Sequence, residues 1–168
     1  MTSVDAIRDL LRHCQTMVET VMQDVSVEHA NWLPPGTANS IGLTYLHLLN
    51  YQDHYVNAMS QGKQTIWVRD SWEGKLGHPD AMKMSREAAQ ERRIDPAAVR
   101  PYAEAVFVDT ATYLSDISED ELSREVQGYR GMVPISTVLT RMAAFHTTSH
   151  LGEICALKGV QGLKGLPF

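Results

Sequence analysis

A chain of 168 residues, 43% hydrophobic and 21% charged, is long enough for one domain, residues 1–168, with a substantial core. Its formal charge of −5 and the lack of a clustered basic face argue against a nucleic-acid binder. No apolar run reaches the length of a bilayer span, and the N-terminus, MTSVDAIRDLL, lacks the basic-then-apolar layout of a secretion signal, so the expected location is the cytoplasm.

The first segment, about Ser3 to Glu28, carries Val4, Ile7, Leu10, Leu11, Cys14, Met17, Val18, Val21, Met22 and Val25 at steps of three and four, the mark of one apolar helix face. Thr2 and Asp5 have the spacing of a capping box. Pro34-Pro35-Gly36 cannot continue a helix, and Asn39 or Ser40 can cap the next one, about Ile41 to Gln61. Ile41, Tyr45, Leu48, Tyr55 and Met59 lie on its apolar face, with His47, Tyr51 and His54 on an adjoining stripe.

A long connection follows, from Gly62 to about Arg100, with a short helix expected near Ser85 to Arg92. Such a length permits a crossover in place of a tight antiparallel turn. The third long helix is expected to start around Asp95-Pro96 or Pro101, with its main body from near Pro101, since proline is tolerated at a first turn and awkward inside a helix. It runs to about Asp116, and Ser118-Glu119-Asp120-Glu121 reads as the cap of a short extra turn. Gly128 to Gly131 reads as a loop, and no alternating strand pattern stands out.

The last long helix is expected from about Ile135 to Lys158, with Gly159 as a left-handed cap. The tail carries Val160, Leu163, Leu166 and Phe168, enough apolar content to pack over the bundle end or against a partner. The expected fold is therefore all-α, a four-helix bundle with one crossover between its second and third helices. Cys14 and Cys155 sit inside apolar stripes and read as buried free thiols in a reducing compartment.

Chemistry concentrates in FHTTSHLGE, where His146 and His150 stand four residues apart. Residues so spaced lie one turn above each other on one helix face, and two neutral imidazoles there can reach a single divalent ion. With seven histidines in the chain, about 0.3 such pairs arise by chance, so the spacing alone is weak. A third ligand could come from His47, mid-helix among Leu46, Leu48 and Leu49, with His54 as its competitor. The plainer reading of a histidine on an apolar face is a core residue hydrogen-bonded to backbone or hydroxyl. His13 falls at a stripe edge, and His29 and His78 read as surface residues.

FHTTSHLGEICALKGVQGLKG resembles the closing helix of the DinB-like (YfiT-like) superfamily: a His, three residues, a second His, one residue, then Gly and usually Gln. NWLPPGTANSIGLTYLHLLNYQDHY resembles that family's second helix, with its Trp-Pro element, its Ser-Ile start and a following His. The resemblance implies an up-down-down-up four-helix bundle and a divalent metal, zinc or nickel foremost, held by His47, His146 and His150. It further implies a homodimer and, in some members, S-transfer or isomerisation with thiols such as mycothiol or bacillithiol; many members have no assigned activity. One departure is Glu153, where the family usually has Gln. On the histidine face it could orient a ligand, act as a base, or serve as a fourth ligand, against the plainer reading of a solvated carboxylate.

Three imidazoles would leave an ion its charge and an open position, the layout of catalytic zinc. A bound water or thiol would then be acidified toward a nucleophile. Glu153, Tyr51 and His54 are the candidate proton-handling residues. Trp32, Trp67 and Trp72 could wall a cleft at the site, or simply seal loops onto the bundle. The expectation is a metal-dependent enzyme acting on a small molecule, plausibly a thiol S-transferase. The alternative is a non-catalytic bundle, metal-binding or dimerising.

Overall fold

The computed structural model describes residues 2–80, 82 and 91–166. Helix α1, Ser3–Met22, starts on the expected capping box: the Thr2 hydroxyl accepts from the Asp5 amide and the Thr2 amide donates to the Asp5 carboxylate, each at 3.1 Å. Val4, Ile7, Leu11, Cys14, Val18 and Val21 are buried, while Leu10, placed on that face by its spacing, is exposed. The helix stops at Met22, short of the expected Glu28. Ser26 instead caps a separate turn, α2, Val27–Asn31, by accepting from the His29 amide.

Ser40 caps α3, Ile41–Asp53, which continues without a break into a π-helical segment, His54–Ser60. Gly42 is required by closeness: a Cβ there would lie 3.0 Å from the Ala30 carbonyl oxygen and 3.1 Å from the Ile94 Cβ. The long connection forms two short helices, α4, Ile66–Arg69, and α5, Trp72–Leu76. The helix expected near Ser85 to Arg92 falls almost wholly outside the described residues, as does Phe168.

The connection is tied down by Asp53, a fully buried carboxylate. It accepts from the amides of Ile66 (2.9 Å) and Trp67 (3.0 Å), from Asn57 Nδ2 (3.0 Å) and from the Tyr102 hydroxyl (2.9 Å). Trp67 and Trp72 pack on the Tyr102 ring at centroid distances of 5.1 and 5.5 Å and are buried in the core. Buried there, they seal the connection onto the helices. His78 is likewise buried, not a surface residue, with Nε2 donating to the Arg93 carbonyl at 3.0 Å.

Helix α6 runs Pro96–Asp116 and contains Pro101. The start is thus the earlier of the two expected, and the main body begins five residues before Pro101. Asp95 accepts from the Ala97 amide and Pro96 occupies the first turn, a start strong enough to carry the break at Pro101. Ser118 caps α7, Glu119–Ser123, as its sequence implied. The expected loop at 128–131 is the turn of a small antiparallel hairpin, β1, Glu125–Gly128, with β2, Gly131–Pro134, so the chain is mostly rather than wholly helical. The last helical run begins as α8, Ile135–Thr137, passes through a second π-helical segment, Val138–Ala144, and ends as α9, Phe145–Val160. It overruns Gly159; the left-handed glycine is Gly162, at φ 79°.

Helix α1 packs against α6 and α9, and α3 packs against the same two, so the four long runs form a ring. Arg8 donates to the Leu114 carbonyl at 2.9 and 3.2 Å, and Lys158 Nζ, itself buried, donates to the Val21 carbonyl at 2.6 Å and meets Asp24. Cys14 is buried and Cys155 half-buried, both as free thiols. Among the described residues no helix is long and apolar enough to cross a membrane.

Candidate metal centre

The fold brings together three histidines from α3 and α9. His47 sits between buried Leu46 and Leu48, which fix α3 against the core and leave the His47 stripe turned toward α9. His146 follows buried Ala143 and Ala144, and His150 precedes buried Leu151, so the same packing presents both rings to α3. The two π-helical segments touch each other beside the site, one beginning three residues after Tyr51 and the other ending at Ala144, two residues before His146. Extra-residue turns of this kind recur at functional sites.

Ring centroids lie 4.4 Å apart for His146 and His150, 4.7 Å for His47 and His150, and 5.2 Å for His47 and His146. One ring nitrogen from each lies within 4.8 Å of the others, and all three residues are half-buried. Nitrogens sharing an ion at about 2 Å stand about 3–4 Å apart. The Nε2 atoms of His146 and His150 are 3.2 Å apart. At that spacing they subtend about 103° at an ion 2.05 Å from each, close to tetrahedral. The 4.8 Å limit on the full set is within a side-chain rotation of ligation.

Protonation suits the same role. Burial pushes the His146 imidazolium down to about 3, helped by the neighbouring His150 and His47. Burial likewise pushes His47 down to about 4, with His150 adding to the shift and Glu153 opposing it. Both rings are neutral at pH 7 and keep a lone pair for an ion. His146 Nδ1 is buried with no hydrogen-bond partner among the described residues.

The carboxylate of Glu153 lies 2.7 Å from His150 Nδ1, on the far side of the ring from Nε2. With Nδ1–H donating to Glu153, the lone pair of His150 sits on Nε2, facing His146. Tyr51 lies against two of the rings, at 4.5 Å from His47 and 4.7 Å from His146, and burial raises its phenol above the ordinary range. His54 stands apart: its described ring contact is Tyr55, at 5.9 Å, and the three-histidine cluster does not include it.

Sequence reasoning missed several neighbours. Tyr55, placed on the apolar face, meets the His146 ring edge-on at 5.8 Å. A pocket of about 560 Å³ opens beside His146, walled by Tyr55, by α9 and its preceding π-helical segment, and by the hairpin turn at Tyr129 and Arg130. No periodicity in the sequence marks that turn as part of a site, because the hairpin had gone unrecognised.

The family model of the DinB superfamily matches residues 10–154. Among curated proteins none matches the chain. Among solved structures, a conserved protein from Enterococcus faecalis superposes with a TM-score of 0.81 at 20% identity, covering 96% of this chain and 99% of that one. A DinB-like protein from Bacillus subtilis superposes at 0.64 and 18% identity, covering 97% and 96%. A mycothiol-dependent maleylpyruvate isomerase superposes at 0.59 and 18% identity, covering 92% of this chain and 65% of that one. At these identities the likenesses concern the fold alone.

Proposed function

The chain belongs to the DinB superfamily, and from that premise we propose that it is a divalent-metal enzyme acting on a small molecule, with His47, His146 and His150 as the ligands. The observation that carries the reading is the approach of three ring nitrogens from two helices far apart in sequence, one pair already at ligand spacing. The reaction we favour is S-transfer or isomerisation with a low-molecular-weight thiol, and the structural likeness to a mycothiol-dependent isomerase supports that choice. Zinc or nickel suits three imidazole donors.

When bound, such an ion supplies a Lewis acid that acidifies a thiol or water at its open position. The chain's own residues prepare the place. Glu153 holds His150 in the tautomer whose Nε2 lone pair faces the cluster, which makes it a positioning residue. Tyr51 shields His47 and His146 from water and, with its proton held firmly, is a donor to a substrate oxygen at the cluster. His54 is not part of the three-histidine cluster and has no described ring contact with it, whereas Tyr51 lies against two of its rings, so we assign proton handling to Tyr51.

The same reading gives the long helices an up-down-down-up order. Arg8 at Leu114 sets the start of α1 by the end of α6, and Lys158 at Val21 sets the ends of α1 and α9 together. His47 beside His150, and the contact between the π-helical segment that follows α3 and the one that precedes α9, run α3 against α9. Homodimerisation belongs to the proposal and is checked by sedimentation.

The test uses untagged protein supplied with zinc or nickel. About one ion per chain is expected, lost on H47A, H146A and H150A. A cobalt-substituted sample should change its visible spectrum on adding a thiol. No stoichiometric metal in the wild type refutes the reading, and a spectrum indifferent to thiol favours the non-catalytic bundle.

A further inference from the structure

The pocket beside His146 has a charge character opposite to the chain's. The protein carries 20 acidic against 15 basic residues, yet this pocket is lined by two arginines and no carboxylate. Arg130 comes from the hairpin turn and Arg141 from the second π-helical segment. Among the described residues neither guanidinium forms an ion pair or hydrogen bond, whereas Arg8, Arg12, Arg69 and Arg124 each meet a carboxylate. Much of the remaining wall is apolar and aromatic: Tyr55, Tyr129, Val133, Met142 and Phe145. Tyr129 and Phe145 are exposed at 63% and 67%, a large aromatic surface left to water. The volume of about 560 Å³ is that of a small-molecule site.

We propose that this pocket binds an organic acid: a carboxylate held by Arg130 and Arg141, with an apolar or aromatic body laid against Tyr55, Tyr129 and Phe145. The assignment deepens the reading above, since it names the class of molecule delivered to the histidine cluster, and it rests on that reading only for the ligand's purpose. A guanidinium fork matches a carboxylate's two oxygens and stacks on aromatic faces, so both halves of the ligand meet complementary chemistry. Ser149 and Thr137, also on the wall, supply hydroxyls for a neutral polar group.

The experiment is isothermal titration of the full chain, metal-free and zinc-loaded, with 4-phenylbutyrate, its neutral amide 4-phenylbutanamide, and 3-phenylpropyl phosphate. The acid should bind about tenfold or more tighter than the amide, as a charge-assisted contact implies. The preference should shrink in high salt, vanish in the R130Q/R141Q double variant, and return in part with R130K/R141K. Melting curves of the variants establish that they are folded. Equal affinity for acid and amide, or an acid preference that survives the double glutamine variant, overturns the proposal. Strong binding of the phosphate with none of the acid overturns it too, in favour of a phosphate ligand. Arginine-dependent acid binding in the metal-free protein supports the pocket whatever the ion does, while missing metal stoichiometry counts against the enzyme reading alone.

Discussion

The contact between Glu153 and His150 gives a graded prediction. At 2.7 Å it is a charge-assisted hydrogen bond, but the Glu153 side chain is 59% exposed, so water replaces much of what is lost. A buried partner of a metal-binding histidine typically changes metal affinity 10–100-fold; with screening, about 1 kcal/mol, or about fivefold, is expected for E153A. E153Q keeps an acceptor oxygen and loses only charge, so about a twofold loss is expected. The assay is competition for zinc against a chromophoric chelator at fixed pH and salt, with melts of the metal-free proteins to show equal folding. H150A serves as the reference, losing far more than either. An unchanged zinc affinity in E153A would mean that the carboxylate is merely solvated. A loss as large as that of H150A would mean that Glu153 is itself a ligand. Either result refutes the orienting role.

Other consequences follow from the buried groups. His47 and His146 titrate below their unfolded value of 6.5, so the unfolded chain binds more protons over the range below it, and metal-free stability should fall as pH drops from 6.5 to 4.5. Discounted for half-burial, the loss is about 2 kcal/mol; urea midpoints that hold level or rise would contradict it. Asp53, whose carboxyl burial raises above its ordinary range, opposes this at the acid end. D53A strands four donors around a buried void and should cost about 3 kcal/mol in urea unfolding, with less than 1 kcal/mol refuting the anchoring role. K158M removes the buried ammonium from the Val21 carbonyl and leaves the Asp24 carboxylate unpaired, so a stability loss of about 1–2 kcal/mol is expected; no change in the melting midpoint would mean that the contact contributes nothing.

The long helices were legible by their apolar stripes, and several starts also by their caps. Thr2 with Asp5, Ser40 and Ser118 all cap where their spacing implied. The histidine cluster was legible in part: spacing linked His146 to His150 and the leucines around His47 put it ahead of His54, but that choice stayed open until the resemblance, and then the packing of α3 on α9, settled on His47. What failed was a local signal outweighed by a stronger local one or by distant contacts. Pro101 argued for a late helix start, and the Asp95 cap with Pro96 overrode it. The hairpin has strands of four residues and a Tyr129-Arg130 turn without the Asn-Gly signature, so it left no pattern to read. Asp53 sits one residue before His54 on a polar-looking stripe; its burial comes from partners at 66, 67 and 102, which no local window contains. The same holds for Trp67 and Trp72, whose shared contact with Tyr102 bridges the connection to α6.

The central claim is a cation site shared by α3 and α9. An anomalous-difference map from crystals grown with zinc or nickel tests it most directly. One peak about 2.0–2.1 Å from ring nitrogens of His47, His146 and His150 is the predicted result. A peak elsewhere with these rings empty, or one that His47 does not reach, would contradict it.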